Sequence, residues 1–360
     1  MTRGAWLLTR KHPPSVGGMQ QLSFHLVQEI ATLRPVTVLA WGRGQWGLPW
    51  FFLGCFARLL PALAFGRVTV LHLGDPVLAA LAVLPRWFGV PVAVTVHGLD
   101  IEHPAWWYQA YLRLFFWNRM QAHVCISRHV RDLVLARGTE PSQVVVIPVG
   151  IGDSAIAPVG DPDLETRLRD TGPVLLALGR LVERKGLPWF LQAVAPRFFA
   201  RHPHACLLIA GEGPQRGAIE AAIAAPELQT RVLLLGAVDE ARKAWLLQRC
   251  DAVLMPNIAV PGDAEGFGLV ALEAGRAGRW PLVADLEGLR DAVTDECNGQ
   301  RIPPGNVEAW LAALEAACAD PQALRHKGEL AREYVLARFT WAAMAEKYDR
   351  LFRALEADAH

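Results

Sequence analysis

Residues 174–186 read Val174-Leu175-Leu176-Ala177-Leu178-Gly179-Arg180-Leu181-Val182-Glu183-Arg184-Lys185-Gly186. The apolar run is too short for a helix and opens into a glycine-bounded loop carrying charges of both signs. Such a run is expected of a strand covered on both faces in a parallel sheet, with its polar loop at the carboxyl end. The unit repeats outward in both directions. Further apolar runs stand at 206–210, 232–235, 252–255 and 281–284, and earlier at 5–8, 36–40, 68–72, 92–96, 124–126 and 144–147. Helix-length segments fill the gaps, so the class is α/β, with two Rossmann-like, doubly wound parallel-sheet domains. Between the halves, 148–172 is rich in Gly, Pro and Asp and lacks an apolar period, as a connector with one polar helix does. The expected division is a first domain over 1–155, a second over 156–338 and a closing helical segment over 339–360. In that last segment Phe339, Ala342, Ala345, Tyr348, Leu351 and Phe352 recur at helical spacing and need a surface to cover them.

Composition narrows the function classes. At about 150 residues per domain, 360 residues make about two domains. A chain 52% hydrophobic and 20% charged is neither disordered nor collagen-like. Thirty-six basic against thirty-five acidic residues leave a net charge of +1, so no global field recruits nucleic acid and any anion site is local. The six cysteines show no Cys-x-x-Cys spacing and no neighbouring His, which fits reduced thiols rather than a metal site. No export signal is visible, and a cytoplasmic protein is expected. The most apolar stretch, 46–65, is interrupted by Pro49, Arg58 and Pro61 and does not meet the requirement for a membrane span. It fits either a core-facing helix or a membrane-touching face carried by Trp46, Trp50, Phe51, Phe52 and Phe56. The same two alternatives apply to Trp106-Trp107-Tyr108 and Phe115-Phe116-Trp117.

In open α/β sheets ligands sit at the carboxyl ends of strands, so chemistry is sought in those loops. After the first strand, Pro13-Pro14-Ser15-Val16-Gly17-Gly18 opens a helix. Its paired glycines suit a phosphate against free N–H groups, or simply a tight turn. Neither Gly-x-Gly-x-x-Gly nor Gly-Lys-Ser/Thr follows, which excludes a dinucleotide fingerprint and a Walker loop. The fourth strand ends in His97-Gly98, where an imidazole at the rim is placed to bond a hydroxyl or hold charge, or else to bond its own loop. His72 is a second strand-end histidine. Arg180 and Lys185 are two cations five positions apart, suited to two adjacent phosphates. The alternative is a solvated charge run partly neutralised by Glu183. Gly211-Glu212-Gly213-Pro214 reads as a strand-to-helix turn with ligand access.

Glu265-Gly266-Phe267-Gly268-Leu269-Val270-Ala271-Leu272-Glu273 follows a strand and leads into a helix. As the acid and base of a glycosidase the two glutamates are badly spaced. Eight helical residues separate backbones by about 12 Å, whereas hydrolases hold their carboxyls about 5 to 10 Å apart. Helix-start N–H groups against phosphate, with the two carboxylates on sugar and ribose hydroxyls, fit better. The one Asp-x-Asp, Asp161-Pro162-Asp163, precedes the polar helix and reads as a cap. The charge of a departing diphosphate then falls to Arg180, Lys185 and backbone N–H groups.

Taken in order, Gly17-Gly18, His97-Gly98, the Gly-Arg-Leu-x-x-x-Lys-Gly run 179–186, Gly211-Glu212-Gly213-Pro214 and the run 265–273 resemble the retaining glycosyltransferases of family 4, of GT-B fold. The last run is similar to that family's Glu-x7-Glu motif, and Phe339-Thr340-Trp341 is similar to the start of its final helix, which crosses back to the first domain. The resemblance implies two domains facing a cleft, the first taking the acceptor and the second the nucleoside-diphosphate sugar. It implies that Arg180 and Lys185 hold the diphosphate as it leaves, that Glu273 holds the ribose, and that Glu265 and His97 lie at the transferred sugar. Gly17 and Gly18 would let acceptor and phosphates approach, and Gly211, Gly213, Gly266, Phe267, Gly268 and Leu269 would line the substrate. It further implies no metal or other cofactor. The acceptor would be a hydroxyl of a glycan, a lipid-linked sugar or a small molecule, and peripheral contact with the inner face of the cell membrane is expected. Retention in such enzymes is ascribed to attack on the face from which the nucleotide departs. The chain departs from the family at 275–281, where Arg276, Arg279 and Trp280 replace small residues. The competing reading is a non-catalytic nucleotide-sugar-binding protein on the same scaffold.

Overall fold

A computed structural model describes residues 3–359 apart from 16, 43, 118, 153–156 and 170, with no side chain for 45. The chain forms two compact units, Met1–Gly150 with Phe339–His360, and Ile151–Arg338. The boundary expected between 155 and 156 lies outside the described residues.

The first unit holds β1 (Gly4–Thr9), β2 (Val36–Ala40), β3 (Val68–Leu73), β4 (Val92–Val96), β5 (Ala122–Cys125) and β6 (Val144–Val146). All are parallel, in the order β2-β1-β3-β4-β5-β6. Every residue of β1, β4 and β5 is buried, which is why these strands are mostly apolar, with Thr9, Thr95 and His123 as their polar members. Parallel crossovers are right-handed, so the direction of each step along the sheet fixes the face its helix covers. The step from β1 to β2 runs one way and places helix Gly18–Leu33 on one face. The steps β2 to β3 to β4 to β5 run the other way and place helices Leu48–Ala64, Val83–Trp87 and Trp106–Phe115 on the opposite face.

The closing helix Trp341–Asp358 packs on Gly18–Leu33. Thr340 caps it by accepting the Ala343 N–H at 3.0 Å. A Cβ on Gly150 would stand 2.8 Å from the Trp341 Cα, so only glycine lets the chain pass there. Tyr348 on this helix meets the Thr95 hydroxyl at 2.8 Å, and Thr95 meets His72 Nε2 at 2.9 Å. His72 is thus a fully buried member of a chain tying the helix to β3 and β4, not a rim residue.

Burial, aided by the nearby His97, pushes the His72 pKa down to about 3, and burial pushes that of His123 down to about 4. Both imidazoles are neutral when folded, whereas the unfolded chain takes up protons near pH 6.5. Below about pH 6.5 the unfolded state therefore binds more protons, and stability falls as pH falls, by up to about 1.4 kcal/mol per pH unit for each histidine. The melting temperature is expected to drop steadily from about pH 7 to pH 5, with a shallower drop in His123→Phe. A pH-independent melting temperature over that span, or an unchanged slope in the variant, would contradict this.

The second unit holds β7 (Val174–Leu178), β8 (Cys206–Ala210), β9 (Val232–Gly236), β10 (Ala252–Met255), β11 (Trp280–Ala284) and β12 (Gln300–Ile302). They are parallel, in the order β12-β11-β10-β7-β8-β9. β12 is absent from the sequence reading because it is a three-residue edge strand that begins with two polar side chains. The polar connector helix is Pro162–Leu168, and Asp161 caps it by accepting the Leu164 N–H at 3.0 Å. Between β7 and β10 the strand order reverses, and that switch point opens a crevice at the carboxyl ends of these two strands.

Candidate functional site

At this switch point the loop after β7 meets the loop after β10. The first leaves Leu178 through Gly179, turns over Glu183–Lys185 and ends at Gly186, whose φ is +65°. A Cβ on Gly186 would stand 2.0 Å from the Pro256 carbonyl oxygen, and Ile258 donates its N–H to the Arg184 carbonyl at 2.9 Å. The two loops are therefore locked backbone to backbone. A small pocket at the junction is lined by Gly179, Arg180, Lys185, Met255, Pro256 and Asn257, among others.

Around it the charges are ordered. Lys185 Nζ lies 2.6 Å from Glu265 Oε2, and Asn257 Nδ2 donates to the same oxygen at 3.1 Å. Arg184 Nη1 bonds Asp263 Oδ1 at 2.6 Å, while its Nε stands 3.5 Å from Glu265 Oε2. Burial alone would raise the Glu265 pKa, but Lys185, then Arg184 and Asn257, outweigh it and hold the carboxyl below its usual range. Lys185 and Glu265 are mostly enclosed, whereas Arg180 is exposed and has no hydrogen-bond or ion-pair partner among the described residues. The two cations paired by spacing thus differ in state: one is neutralised, the other is free at the pocket's edge.

The run 265–273 is pinned from behind. The Glu265 N–H donates to the Glu287 carboxylate, and Gly288 donates its N–H to the Glu265 carbonyl at 3.0 Å. Gly268, at φ +88°, starts helix Leu269–Arg276 where a Cβ would come within 2.6 Å of Leu289. Phe267 and Gly268 are buried, and Gly266 and Leu269 half-buried. Four residues into the helix, Glu273 is held by Lys243 Nζ at 2.8 Å, and Lys243 also pairs with Glu240 at 2.7 Å. Burial opposes the charge on Lys243, but Glu273 and Glu240 outweigh it and raise the pKa. Sequence reasoning missed Lys243, Arg184, Asp263 and Asn257 as members of the site. One signal was present: only five of the thirty-six basic residues are Lys, and two of these, Lys185 and Lys243, hold the two glutamates.

Gly211 and Gly213 have a packing reason for being glycine. A Cβ on Gly211 would fall 1.8 Å from the Gly179 carbonyl oxygen, and one on Gly213 would fall 2.4 Å from that of Leu181. They let the loops after β7 and β8 lie against each other and so brace the Arg180 loop. The divergent stretch 275–281 is also structural in its contacts, with Arg279 donating to the Gln248 carbonyl at 2.6 Å and Trp280 buried in β11 under Lys327.

In the first unit the switch point lies between β1 and β3. Arg10 Nε bonds Asp75 Oδ1 at 3.0 Å across it, and Gly74 donates its N–H to the Leu8 carbonyl. His97, after β4, donates from Nε2 to the Gly74 carbonyl at 3.1 Å, which leaves Nδ1 without a partner among the described residues. Its N–H donates to Asp100 Oδ2 at 3.0 Å. Burial pushes the Asp100 carboxyl above its usual range despite His97 beside it. Gly17, at φ +148°, caps the helix that Gly18 opens, and Val16 lies outside the described residues. Among the described residues, no three His, Cys, Asp or Glu side chains are grouped to hold a metal ion.

Comparison with known proteins matches both halves in order. The family model described as Glycosyltransferase Family 4 matches residues 7–154, and that described as Glycosyl transferases group 1 matches residues 164–334. A glycogen synthase of Mycobacterium tuberculosis is 28% identical over 298 residues, covering 80% of this chain and 69% of that protein. A phosphatidyl-myo-inositol mannosyltransferase of the same organism is 28% identical over 352 residues, covering 92% and 89%. The crystal structure of Anabaena HepE in complex with UDP shares the fold, with a TM-score of 0.72 at 18% identity over 98% of this chain and all of that one. With two parallel six-stranded sheets, and each half matched in turn by a glycosyltransferase family model, the chain belongs to the GT-B glycosyltransferases of the family 4 and group 1 kind.

Proposed function

We propose that the protein is a retaining glycosyltransferase that moves a sugar from a nucleoside diphosphate to a hydroxyl of a glycan, a lipid-linked sugar or a small molecule. The observation that carries this reading is the switch point of the second unit, where a free guanidinium and an ammonium line one pocket and two glutamates, each held by a lysine, flank the adjoining helix start. A diphosphate needs such fixed cations and N–H groups, and the structural relative HepE was solved with UDP.

Arg180 and Lys185 are assigned the diphosphate. Lys185 spends one of its three N–H donors on Glu265 and keeps two for phosphate oxygens. Glu273, positioned by Lys243, accepts from the ribose hydroxyls, and Glu265, ionised and positioned by Asn257, accepts from those of the sugar. His97, its Nε2 held by the Gly74 carbonyl, is assigned a further hydroxyl of the sugar. The bond from the anomeric carbon to the β-phosphate oxygen breaks, with its electron pair going to phosphate. The acceptor oxygen then bonds the anomeric carbon on the same face and gives its proton to that phosphate oxygen. The charge growing on the phosphate is met by Arg180 and Lys185, where fixed cations act most strongly.

Melting the protein with a panel of UDP- and GDP-sugars, followed by an assay of sugar release and transfer with the donor that stabilises most, tests the proposal. A rise of several degrees with one nucleotide class, and a product of unchanged anomeric configuration by NMR, are expected. Stabilisation without turnover on any acceptor would favour a binding protein, and an inverted product would overturn retention.

A further inference from the structure

Helices Leu48–Ala64, Val83–Trp87 and Trp106–Phe115 cover one face of the first sheet and adjoin one another through the turn Pro76–Ala82. Their inner sides do the work of a core: Phe51, Cys55, Leu59, Leu84, Tyr108 and Leu112 are buried. Their outer sides are apolar as well. Trp50 is 74% exposed, Trp87 76% and Trp106 80%, Leu53, Leu60 and Leu114 also face solvent, and Trp46, in the turn just before the first helix, is 98% exposed. Scattered single apolar residues on a surface are ordinary, but a layer of indoles on adjoining helices marks an interaction face.

The charges on this layer have one sign. The three helices carry Arg58, Arg86 and Arg113 and no carboxylate. Between the second and third, a pocket of about 300 Å³ has Val83, Trp87, Leu114 and Phe115 as its apolar lining and Arg86 and Arg119 at its sides. Both guanidiniums are exposed and, among the described residues, without an ion-pair partner. Indoles beside unpaired arginines match the layering of an anionic bilayer, where tryptophan settles at the headgroup level and arginine meets lipid phosphate. No described helix is long and apolar enough to cross a membrane.

We propose that the face formed by these three helices docks on an anionic phospholipid membrane, with a headgroup phosphate held between Arg86 and Arg119 and the exposed tryptophans seated in the interface. The complementary charge favours a bilayer over a second copy of this chain, since two such faces would repel.

Flotation of the full chain with phosphatidylcholine vesicles, with and without about 30% phosphatidylglycerol, tests this directly. Binding is expected with the anionic vesicles, weak or none with the neutral ones, and partial release in high salt. Arg86→Glu/Arg119→Glu is expected to lower binding about tenfold or more, and Trp50→Ala/Trp87→Ala to lower it comparably. Arg197→Ala, on an exposed pair of the second unit, should leave it unchanged. In the wild type, vesicles with brominated acyl chains should quench tryptophan fluorescence, a readout that does not depend on any variant folding. No binding to anionic vesicles, equal binding to neutral ones, no quenching, or full binding by folded Arg86→Glu/Arg119→Glu would each overturn the proposal. None of these measurements needs a sugar donor, so their failure leaves the transferase reading intact.

Discussion

Lys185→Ala is expected to lower turnover of the sugar donor about 10²-fold or more while leaving the protein folded. Folding survives because Glu265 keeps Asn257 at 3.1 Å and Arg184 Nε at 3.5 Å, so its carboxylate is not stranded. What is lost is the ammonium at the pocket, and with it one of the two cations that meet the charge on the departing phosphate. Lys185→Arg is not a rescue: the longer planar group cannot occupy the same place between Glu265 and the Gly179 loop. Steady-state kinetics check this, and turnover within a factor of three of wild type would remove Lys185 from the mechanism.

Glu265→Gln should give the second large effect, with a signature that separates catalysis from architecture. Neutralising this carboxylate leaves Lys185 and Arg184 short of one negative charge, although Asp263 still pairs with Arg184 at 2.6 Å. The uncompensated positive charge favours a diphosphate, so the free nucleoside diphosphate should bind as tightly as to wild type or more tightly. Turnover should nonetheless fall about 10²-fold or more, because the charged acceptor offered to the sugar hydroxyls becomes a neutral amide with a single acceptor oxygen. A merely structural role would lower nucleotide affinity and melting temperature together. Calorimetry with the nucleotide beside kinetics with the donor distinguishes the two, and unchanged turnover would contradict the assignment.

Much of the fold was legible because strands buried on both faces leave no choice of pattern. β1, β4 and β8 are almost wholly apolar in sequence and fully buried in the structure. β12 escaped because an edge strand of three residues needs no apolar run. The loops that carry chemistry were legible from glycine and charge, but their partners were not. Lys185 reaches Glu265 eighty positions away, Arg184 reaches Asp263 seventy-nine away and Lys243 reaches Glu273 thirty away. The first two meetings are made by the sheet order that sets β10 beside β7, and the third by the helices before and after β10, which no local spacing encodes. For the same reason the packing need at Gly211 and Gly213, whose missing side chains are required by backbone carbonyls one loop away, could not be read from their own loop. The aromatic helix 48–64 has one side in the core and the other in solvent.

A crystal structure with the nucleoside diphosphate that most stabilises the protein is the most direct test of the site. The expected result is a diphosphate whose oxygens contact Arg180 and Lys185 at the carboxyl ends of β7 and β10, with ribose hydroxyls on Glu273. A nucleotide bound elsewhere on the second unit, with Arg180 still free and Lys185 still closed on Glu265 alone, would contradict it.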